Sequence, residues 1–284
     1  MTQIAIVILN WNGRHYLQKF LPSVCRNSDF QGTEIIVADN GSSDDSVSFV
    51  RNSFPDVRLI EFDRNLGFAM GYFEALKQID ARYYVLLNSD VEVTSGWLVA
   101  LHSAMEADPN LGACMPKMLA YDQRDHFEYA GASGGFIDRF GYPFCRGRML
   151  SVIEPDKGQY NDFRYVFWAS GACMFVRASA YQQAGGLDGE FFAHMEEIDL
   201  CWRMQRLGYT VAVVPGSTVY HVGGGTLPNN TPRKLYLNYR NNLFLMFKNL
   251  PVYQMIPGVF IRMILDGMSA LVYLTNGQGN FFVA

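Results

Sequence analysis

Polar side chains suited to nucleotide and cation binding come directly after three apolar runs of this sequence. They are Asn10, Asp39 and the segment Asn88-Ser89-Asp90. A carboxylate such as Asp39 can accept hydrogen bonds from a ribose hydroxyl or a base N–H. A hard divalent cation that bridges two phosphates, such as Mg2+ or Mn2+, needs only one or two protein carboxylates, and Asp90 can supply one. These residues predict a site for a phosphate-bearing nucleotide.

Three acids lie within four residues at the start of a predicted helix: Glu196, Glu197 and Asp199. The positive end of the helix dipole accounts for one or two acids at such a place. It does not account well for a third among so many aromatic neighbours. Because a carboxylate held among apolar groups has its pKa raised toward neutrality, it suits a general base. We therefore predict a catalytic base in this segment.

Two further segments allow both a structural and a functional interpretation. Asn65 and Gly67 belong to a loop that enters a helix, where Asn65 can act as the N-cap. The same loop can instead bring a helix N-terminus beside a nucleotide. His221 ends a strand-like run before several glycines and can be a simple hydrogen-bonding residue, but a cation at Asp90 would favour a ligand role.

The first 110 residues must position these side chains. Strand patterns alternate with helical patterns there, which is typical of βαβ units and a mostly parallel sheet. Because ligands bind at the carboxyl edge of such a sheet, we expect the polar clusters to share that edge. The predicted strands are 4–9, 34–38, 57–62 and 83–87, and the predicted helices follow about Arg14, Ser43, Gly67 and Ser95.

The remaining chain is less regular. Between Leu111 and Arg164 we expect strands and a long excursion rather than a new domain. The sequence thus predicts one α/β domain over 1–230 and a helical extension over 231–284. The patterns beyond Arg164 are an apolar strand-like stretch at Val166–Val176, a helix around Met195–Leu207, short strands at Thr210–Val214 and Thr218–His221, and helices from about Arg233.

Composition narrows the function classes. The net charge is −4 with both signs interspersed and without a basic run, which argues against a nucleic-acid partner. Five cysteines lie far apart without CxxC pairs, which indicates a reducing, cytosolic compartment.

The C-terminal region is strongly apolar over Leu250–Leu274, but Pro257, Arg262 and Asp266 interrupt it. Since a spanning helix needs roughly 20 apolar residues, we expect a poor span. Two alternatives remain for this segment: a helix that lies on a membrane surface, or a helix packed on the domain. The apolar end Phe281–Ala284 leads us to expect that the native chain continues.

Taken together, the motifs resemble glycosyltransferase family 2, and more closely its bacterial rhamnosyltransferase-like members. The resemblance covers about residues 3 to 245, and seven motifs appear in the expected order. These are VILNWNG (7–13), VADNGSSDDS (37–46), NLGFAMG (65–71), LLNSDVEV (86–93), WASGACMFVRA (168–178), EEIDLCWRMQRLGY (196–209) and YHVGGGT (220–226).

The resemblance implies the GT-A fold, a nucleotide-diphosphate sugar donor held by about residues 1–110, and a divalent metal. Its nucleotide-sugar positions correspond to Asn10, Asp39, Asn65, Gly67, Asn88 and Ser89. Asp90 matches the last acid of the DxD metal motif, and His221 matches the histidine that completes the metal site.

The resemblance also implies an acceptor-binding half over about 111–230 and inversion at the anomeric carbon. Trp168, Ser170 and Gly171 match the stretch that lines the acceptor side. Glu197 matches the catalytic base, Glu196 is the reserve candidate, and Asp199 orients its neighbours.

Two departures from the family pattern bear on function. Asn88 stands where a first aspartate is usual, so the metal loses a charged ligand, and Glu197 replaces an aspartate. The expected activity is transfer of rhamnose from a deoxythymidine diphosphate carrier, or of a sugar from a uridine diphosphate carrier. The acceptor is a glycan or a lipid-linked glycan at the inner face of the plasma membrane. The alternatives are a catalytically silent nucleotide-sugar binding module and, ranked lower, a nucleotidyltransferase.

Overall fold

The computed structural model describes residues 2–149, 152–223 and 231–283 of the chain. Its first part alternates strands and helices in the predicted order, with one additional short strand before the fourth helix. These elements are β1 (Thr2–Asn10), α1 (Arg14–Asn27), β2 (Thr33–Asp39), α2 (Ser46–Ser53), β3 (Arg58–Glu61), α3 (Phe68–Leu76), β4 (Ala81–Asn88), β5 (Val91–Val93) and α4 (Trp97–Ala107).

The second part contains one long strand, a series of short strands and the C-terminal helices, with a short 3-10 turn at Gly189–Phe191. Its elements are β6 (Leu111–Ala120), β7 (Gly135–Ile137), β8 (Pro143–Cys145), β9 (Arg148–Met149), β10 (Val152–Ile153), β11 (Arg164–Tyr165), β12 (Cys173–Arg177), α5 (Ala178–Gln183), α6 (Glu196–Arg206), β13 (Thr210–His221), α7 (Pro232–Asn249), α8 (Val252–Thr275) and α9 (Gly279–Val283).

Within the described residues, nine strands form one mixed sheet in the order β11-β13-β6-β12-β4-β1-β2-β3, with β5 paired to β13. The strands β4, β1, β2 and β3 run parallel, so their carboxyl ends meet at one edge. Ile4 to Ile8 of β1 are fully buried, as expected for a continuous apolar strand covered on both faces. The predicted α/β class with a mostly parallel central sheet is confirmed.

Two strand predictions differ from the structure. Of the apolar stretch Val166–Val176, only the part from Cys173 onward forms a strand within the sheet, β12, because the chain turns at Gly171 before it enters this strand. The two short strands predicted over 210–221 are one strand, β13, whose pairing with β6 shifts register between Val214 and Thr218. Pro215 and Gly216 occupy this irregularity, and such residues are typical of a bulge within a strand.

The C-terminal helix α8 runs unbroken from Val252 to Thr275 although Pro257 lies inside it. Arg262 and Asp266 do not interrupt its exposed face, because Arg262 is buried and donates to Asp266 at 2.8 Å. Among the described helices, α8 is the one long and apolar enough to cross a membrane by length and composition, and 6% of its most apolar window is buried. The expected interruptions therefore leave a continuous, exposed apolar helix.

Candidate functional site

Asn10 and Asp39 end the neighbouring strands β1 and β2 and lie opposite each other in the parallel register. Asn10 Nδ2 donates to Asp39 Oδ2 at 3.0 Å, and the Ser42 amide donates to Asp39 Oδ1 at 2.9 Å. Both side chains are buried, and Asn10 Oδ1 has no hydrogen-bond partner among the described residues. The pair thus offers an oriented carboxylate and a free amide oxygen at the sheet edge.

The loop before α3 is tied to this pair through Asn40. Asn40 Nδ2 donates to Asn65 Oδ1 at 3.1 Å and to the Gly67 carbonyl at 3.0 Å. The proposed cap role of Asn65 is wrong, because Gly67 is the N-cap residue and Asn65 Oδ1 accepts from the Gly67 amide instead. The amides of Phe68 and Ala69 donate to the carbonyl of Phe192, so these two N–H groups at the start of α3 are already paired.

Asn88, Ser89 and Asp90 follow β4 at the same edge. The backbone N–H of Asn88 donates to the Ala172 carbonyl at 2.9 Å, which joins this segment to the loop before β12. A side-chain carbon at Gly13 would lie 3.5 Å from Ser89 Oγ and 2.4 Å from Asn10 Oδ1, so the start of α1 approaches both closely. The predicted convergence of the three polar clusters at one edge is therefore seen in the packing.

His221, the last residue of β13, lies between two buried carboxylates. Its Nε2 is 3.2 Å from Asp90 Oδ1, and its Nδ1 is 3.3 Å from Glu128 Oε1. Burial lowers the pKa of this ring, but the two carboxylates outweigh burial and raise it to about 10. Burial of Asp90 opposes its ionisation, yet the neighbouring His221 holds the pKa of that carboxyl below its usual range.

These residues fit a divalent cation, although incompletely. Neither ring nitrogen of His221 makes a hydrogen bond of good geometry within the described part of the chain, and Nε2, beside Asp90, is the ring atom that would bind a cation once its proton is lost. In residues 2–149, 152–223 and 231–283, no three metal-ligating side chains are arranged to hold an ion by themselves. A metal here would need further oxygen ligands, such as those of a diphosphate. The predicted glycines 224 and 225 and Thr226 lie outside the described residues.

The predicted base segment begins α6. Burial, followed by the charge of Glu197, raises the pKa of Glu196 well above its usual range. Burial likewise raises the pKa of Glu197 to about 7. The Oε2 atoms of both glutamates and Nε2 of His194 are buried without a hydrogen-bond partner among the described residues. Three unpartnered polar atoms within four residues are typical of a place where a ligand supplies the missing partners.

Asp199 has a different environment, because its carboxylate is fully paired. It accepts from Arg203 Nε at 2.8 Å, from Lys248 Nζ at 3.1 Å and from Asn249 Nδ2 at 2.8 Å. The last two belong to α7, so Asp199 joins α6 to α7. This arrangement supports the predicted orienting role of Asp199.

The acceptor-side residues lie in the loop before β12. Trp168 Nε1 donates to the Phe136 carbonyl at 2.9 Å, and Ser170 Oγ donates to the Ala130 carbonyl at 2.8 Å, so both polar groups are used internally. Gly171 is the residue that meets the base segment, since a side-chain carbon there would lie 3.6 Å from Cβ of Glu197. Their roles in acceptor binding stay predictions.

Three residues of this region were missed from the sequence: Glu128, Arg240 and Asn241. Glu128 lies in the irregular stretch between β6 and β7, where no periodicity marks it. Asn241 is fully buried in α7 and donates to carbonyls of the loop before α6. A signal for Asn241 was its spacing, since it lies four residues after Leu237 and four before Leu245, on the buried side of α7.

Comparisons with known proteins identify the family of this chain. The family model described as Glycosyl transferase family 2 matches residues 5–185. The N-acetylglucosaminyl-diphospho-decaprenol L-rhamnosyltransferase of Mycobacterium tuberculosis is 28% identical over 236 residues, which are 77% of this chain and 75% of that protein. The rhamnosyltransferase WbbL of Escherichia coli K12 is 24% identical over 223 residues, which are 77% of this chain and 83% of that protein.

The fold also matches solved glycosyltransferase structures. The crystal structure of GalNAc-T7 with UDP, GalNAc and Mn2+ aligns with a TM-score of 0.64 at 14% identity over 87% of this chain. This chain spans about half of that structure's length, 48% of it. The expected GT-A type fold and the rhamnosyltransferase-like resemblance are confirmed, and the chain belongs to glycosyl transferase family 2.

Proposed function

We propose that this protein is an inverting glycosyltransferase that moves a sugar from a nucleotide-diphosphate donor to a hydroxyl of a glycan or lipid-linked acceptor in cell-surface polysaccharide synthesis. The observation that carries the proposal is the position of Glu197. Its Cβ lies beside Gly171, and its Oε2 is buried without a hydrogen-bond partner among the described residues. The residue after Gly171, Ala172, accepts from the backbone amide of Asn88 on the edge that holds Asn10 and Asp39. A base and a nucleotide site are thereby joined through one loop.

In the proposed reaction, Glu197 takes the proton of the acceptor hydroxyl while that oxygen forms a bond to the anomeric carbon. The bond from this carbon to the diphosphate oxygen breaks, and its electron pair leaves with the nucleoside diphosphate. Attack from the face opposite the leaving group inverts the anomeric carbon, through an oxocarbenium-like transition state as in glycoside hydrolysis. The raised pKa of Glu197, about 7, allows it to accept a proton near neutral pH.

Each side of the site has a separate task. Asn10 and Asp39 hold the nucleoside, with Asn65, Gly67, Asn88 and Ser89 beside it. Asp90 and His221 would hold Mg2+ or Mn2+, which when bound supplies Lewis-acid stabilisation of charge on the leaving diphosphate. Asp199 keeps α6 in place through its bonds to α7.

The names of the relatives support one choice of donor and acceptor. Both named relatives are rhamnosyltransferases, which favours dTDP-rhamnose over a UDP-sugar as the donor. One of them acts on a diphospho-decaprenol lipid carrying N-acetylglucosamine, which favours a lipid-linked acceptor. Such an acceptor lies in a membrane, and the exposed apolar face of α8 suits peripheral association with it. We therefore place the enzyme in the cytoplasm at the inner face of the plasma membrane.

One observation favours a second candidate, a catalytically silent nucleotide-sugar binding module. Asn88 replaces an acid of the metal motif, so Asp90 and His221 are left with fewer charged partners. Transfer of a sugar to an acceptor separates the two candidates, because a silent module binds the donor without forming product.

The test has two stages. Thermal unfolding is first measured with dTDP, UDP and GDP, each with Mg2+ or Mn2+, since a ligand of the native state raises the unfolding temperature. The donor sugars of the binding nucleotide are then incubated with N-acetylglucosamine linked to a polyprenyl diphosphate, and the lipid product is detected by mass spectrometry. If a nucleotide binds but none of its donor sugars is transferred, the silent binding module is the remaining candidate. If none of the nucleotides binds, both candidates are contradicted.

A further inference from the structure

The loop from Glu190 to Met195, here called the 190–195 loop, leads directly into the two glutamates that begin α6. Three of its residues have left-handed backbones although none is glycine: Phe192 at φ 63, His194 at φ 72 and Met195 at φ 73. Residues with side chains adopt this conformation when the surrounding structure holds them in it. The groups that hold this loop belong to α3 and α7.

One side of the loop is held by α3. The Phe192 carbonyl accepts from the amides of Phe68 at 2.7 Å and Ala69 at 3.2 Å. Gly67 allows this approach, because a side-chain carbon there would lie 2.6 Å from the Phe192 ring. The nucleotide-side loop and the base segment are therefore in direct contact.

The other side is held by two neighbouring residues of α7. Asn241 Nδ2 lies 2.9 Å from the Phe191 carbonyl, 2.8 Å from that of Ala193 and 2.7 Å from that of His194. Arg240 Nη2 donates to the Glu190 carbonyl at 2.9 Å and to that of Phe191 at 3.1 Å. Every carbonyl from 190 to 194 thus has a donor. The Phe192 carbonyl is paired with α3, whereas the other four contact Arg240 or Asn241, with the two hydrogens of Asn241 Nδ2 shared among three of them. The Ala193 amide is a further donor to Phe191.

Arg240 also fixes the orientation of the asparagine. Its Nε donates to Asn241 Oδ1 at 2.9 Å, which directs the Asn241 amide group toward the loop. Asn241 is 0% exposed, so water cannot replace its three contacts. Three carbonyls can converge on one amide group only while the loop keeps its left-handed turns.

We propose that Asn241, oriented by Arg240, is a positioning residue for the catalytic base. It holds the 190–195 loop in the conformation that sets Glu196 and Glu197 at the start of α6. The inference rests on the proposed function in taking these glutamates as the source of the base. It makes α7 part of the working site rather than an accessory to it.

The test compares Asn241→Ala with Asn242→Ala. Asn242 is a matched control, because it is also buried in α7 but donates to the Gly141 carbonyl and bonds to Arg262, away from the loop. In sugar-transfer assays with a lipid-linked acceptor, we expect kcat of Asn241→Ala to fall by about 10²-fold, the loss that a small misplacement of a reacting group produces. The KM for the donor should change little, and Asn242→Ala should retain most of the wild-type kcat.

Hydrogen–deuterium exchange provides a readout that needs no activity. Peptides covering 189–197 should exchange faster in Asn241→Ala than in the wild type, and at the wild-type rate in Asn242→Ala. Replacing Met195 by glycine in the Asn241→Ala protein should restore part of the lost kcat, because glycine adopts the left-handed backbone without strain.

Unchanged exchange of the loop in Asn241→Ala would overturn the inference, as would equal kcat losses in the two alanine variants. Should Asn241→Ala not fold, Arg240→Met takes its place, since it removes the orienting guanidinium, and wild-type exchange and kcat in that variant would equally overturn the inference. If the wild type itself transfers no sugar, the proposed function fails, while the exchange data still decide whether Asn241 holds the loop.

Discussion

His221 Nε2 lies 3.2 Å from Asp90 Oδ1 across the pairing of β13 with β5. The other ring nitrogen lies 3.3 Å from Glu128, whose second oxygen accepts from the Ala130 amide at 2.6 Å. A carboxylate behind a metal-binding histidine fixes the orientation of the ring. Glu128 therefore belongs to the proposed metal site through His221.

We expect Glu128→Gln to weaken Mn2+ binding about 10- to 100-fold, as loss of such a supporting carboxylate does. Binding is measured by calorimetry with Mn2+ in the presence of UDP. Glu154→Gln is the control, because Glu154 lies in the same irregular stretch and bonds to Tyr160 instead. An unchanged Mn2+ affinity in Glu128→Gln would remove Glu128 from the metal site.

Asp39→Asn should weaken nucleotide binding, because it removes the charged acceptor at the end of β2 and turns an amide toward Asn10. A hydrogen bond to a charged group contributes about 1.5–3 kcal/mol, so we expect the dissociation constant for UDP or dTDP to rise about 10- to 100-fold. The stabilisation of the protein by each nucleotide in thermal unfolding measures the change. Asp44→Asn is the control, since Asp44 caps backbone amides of Arg14 and Ser46. Equal losses in both variants would point to general destabilisation.

Glu197→Gln should lower sugar transfer about 10²- to 10⁴-fold and leave donor binding nearly unchanged. A general base must be deprotonated, so wild-type kcat/KM should fall as the pH drops below about 7, the raised pKa of Glu197. The residual activity of the variant should lack this acidic limb. Glu196→Gln is the matched variant, and full loss there with wild-type-like turnover in Glu197→Gln would assign the base to Glu196.

Glu197→Gln should also stabilise the folded protein at alkaline pH. The pKa of Glu197 is raised from 4.5 to about 7 on folding, so in this window the folded state binds more protons than the unfolded state. The free energy of unfolding of the wild type therefore falls as the pH rises through the window. Glutamine does not ionise, so Glu197→Gln should be more stable than the wild type at pH 8, on the order of 1–3 kcal/mol, and similar to it near the lower end of the window. Thermal unfolding at both pH values tests this, and a variant less stable at pH 8 would contradict a buried, ionised Glu197.

The sequence predicted that the polar clusters share one sheet edge, because a parallel sheet brings strand ends together. Asn10, Asp39 and Asn88 each end a recognisable apolar strand, and the registers place Asp39 opposite Asn10 and Asn88 opposite Leu9, at the same edge. Glu128 could not be found this way, since it lies in a stretch without periodicity. Asn241 was missed because its partners are carbonyls 47 to 50 residues earlier in the chain, and backbone acceptors leave no mark in the sequence. The cap interpretation of Asn65 was wrong because Gly67, at a positive φ, is the N-cap of α3.

We expect the exposed face of α8 to bind peripherally to a lipid surface. Phe260 and Ile264 are 65% and 51% exposed one turn apart, and the charges of Arg262 and Asp266 pair with each other rather than facing outward. Burying one such side chain contributes about 1.5–3 kcal/mol, so replacing both by glutamate should lower partitioning onto anionic phospholipid vesicles by well over tenfold. Vesicle flotation measures the bound fraction. Val99→Glu is the control, because Val99 is 54% exposed on α4 and should leave binding unchanged. If the Phe260→Glu, Ile264→Glu protein floats with vesicles as the wild type does, α8 does not contact the lipid. If the wild type is a dimer and this variant is a monomer, the partner of this face is a second copy of the chain.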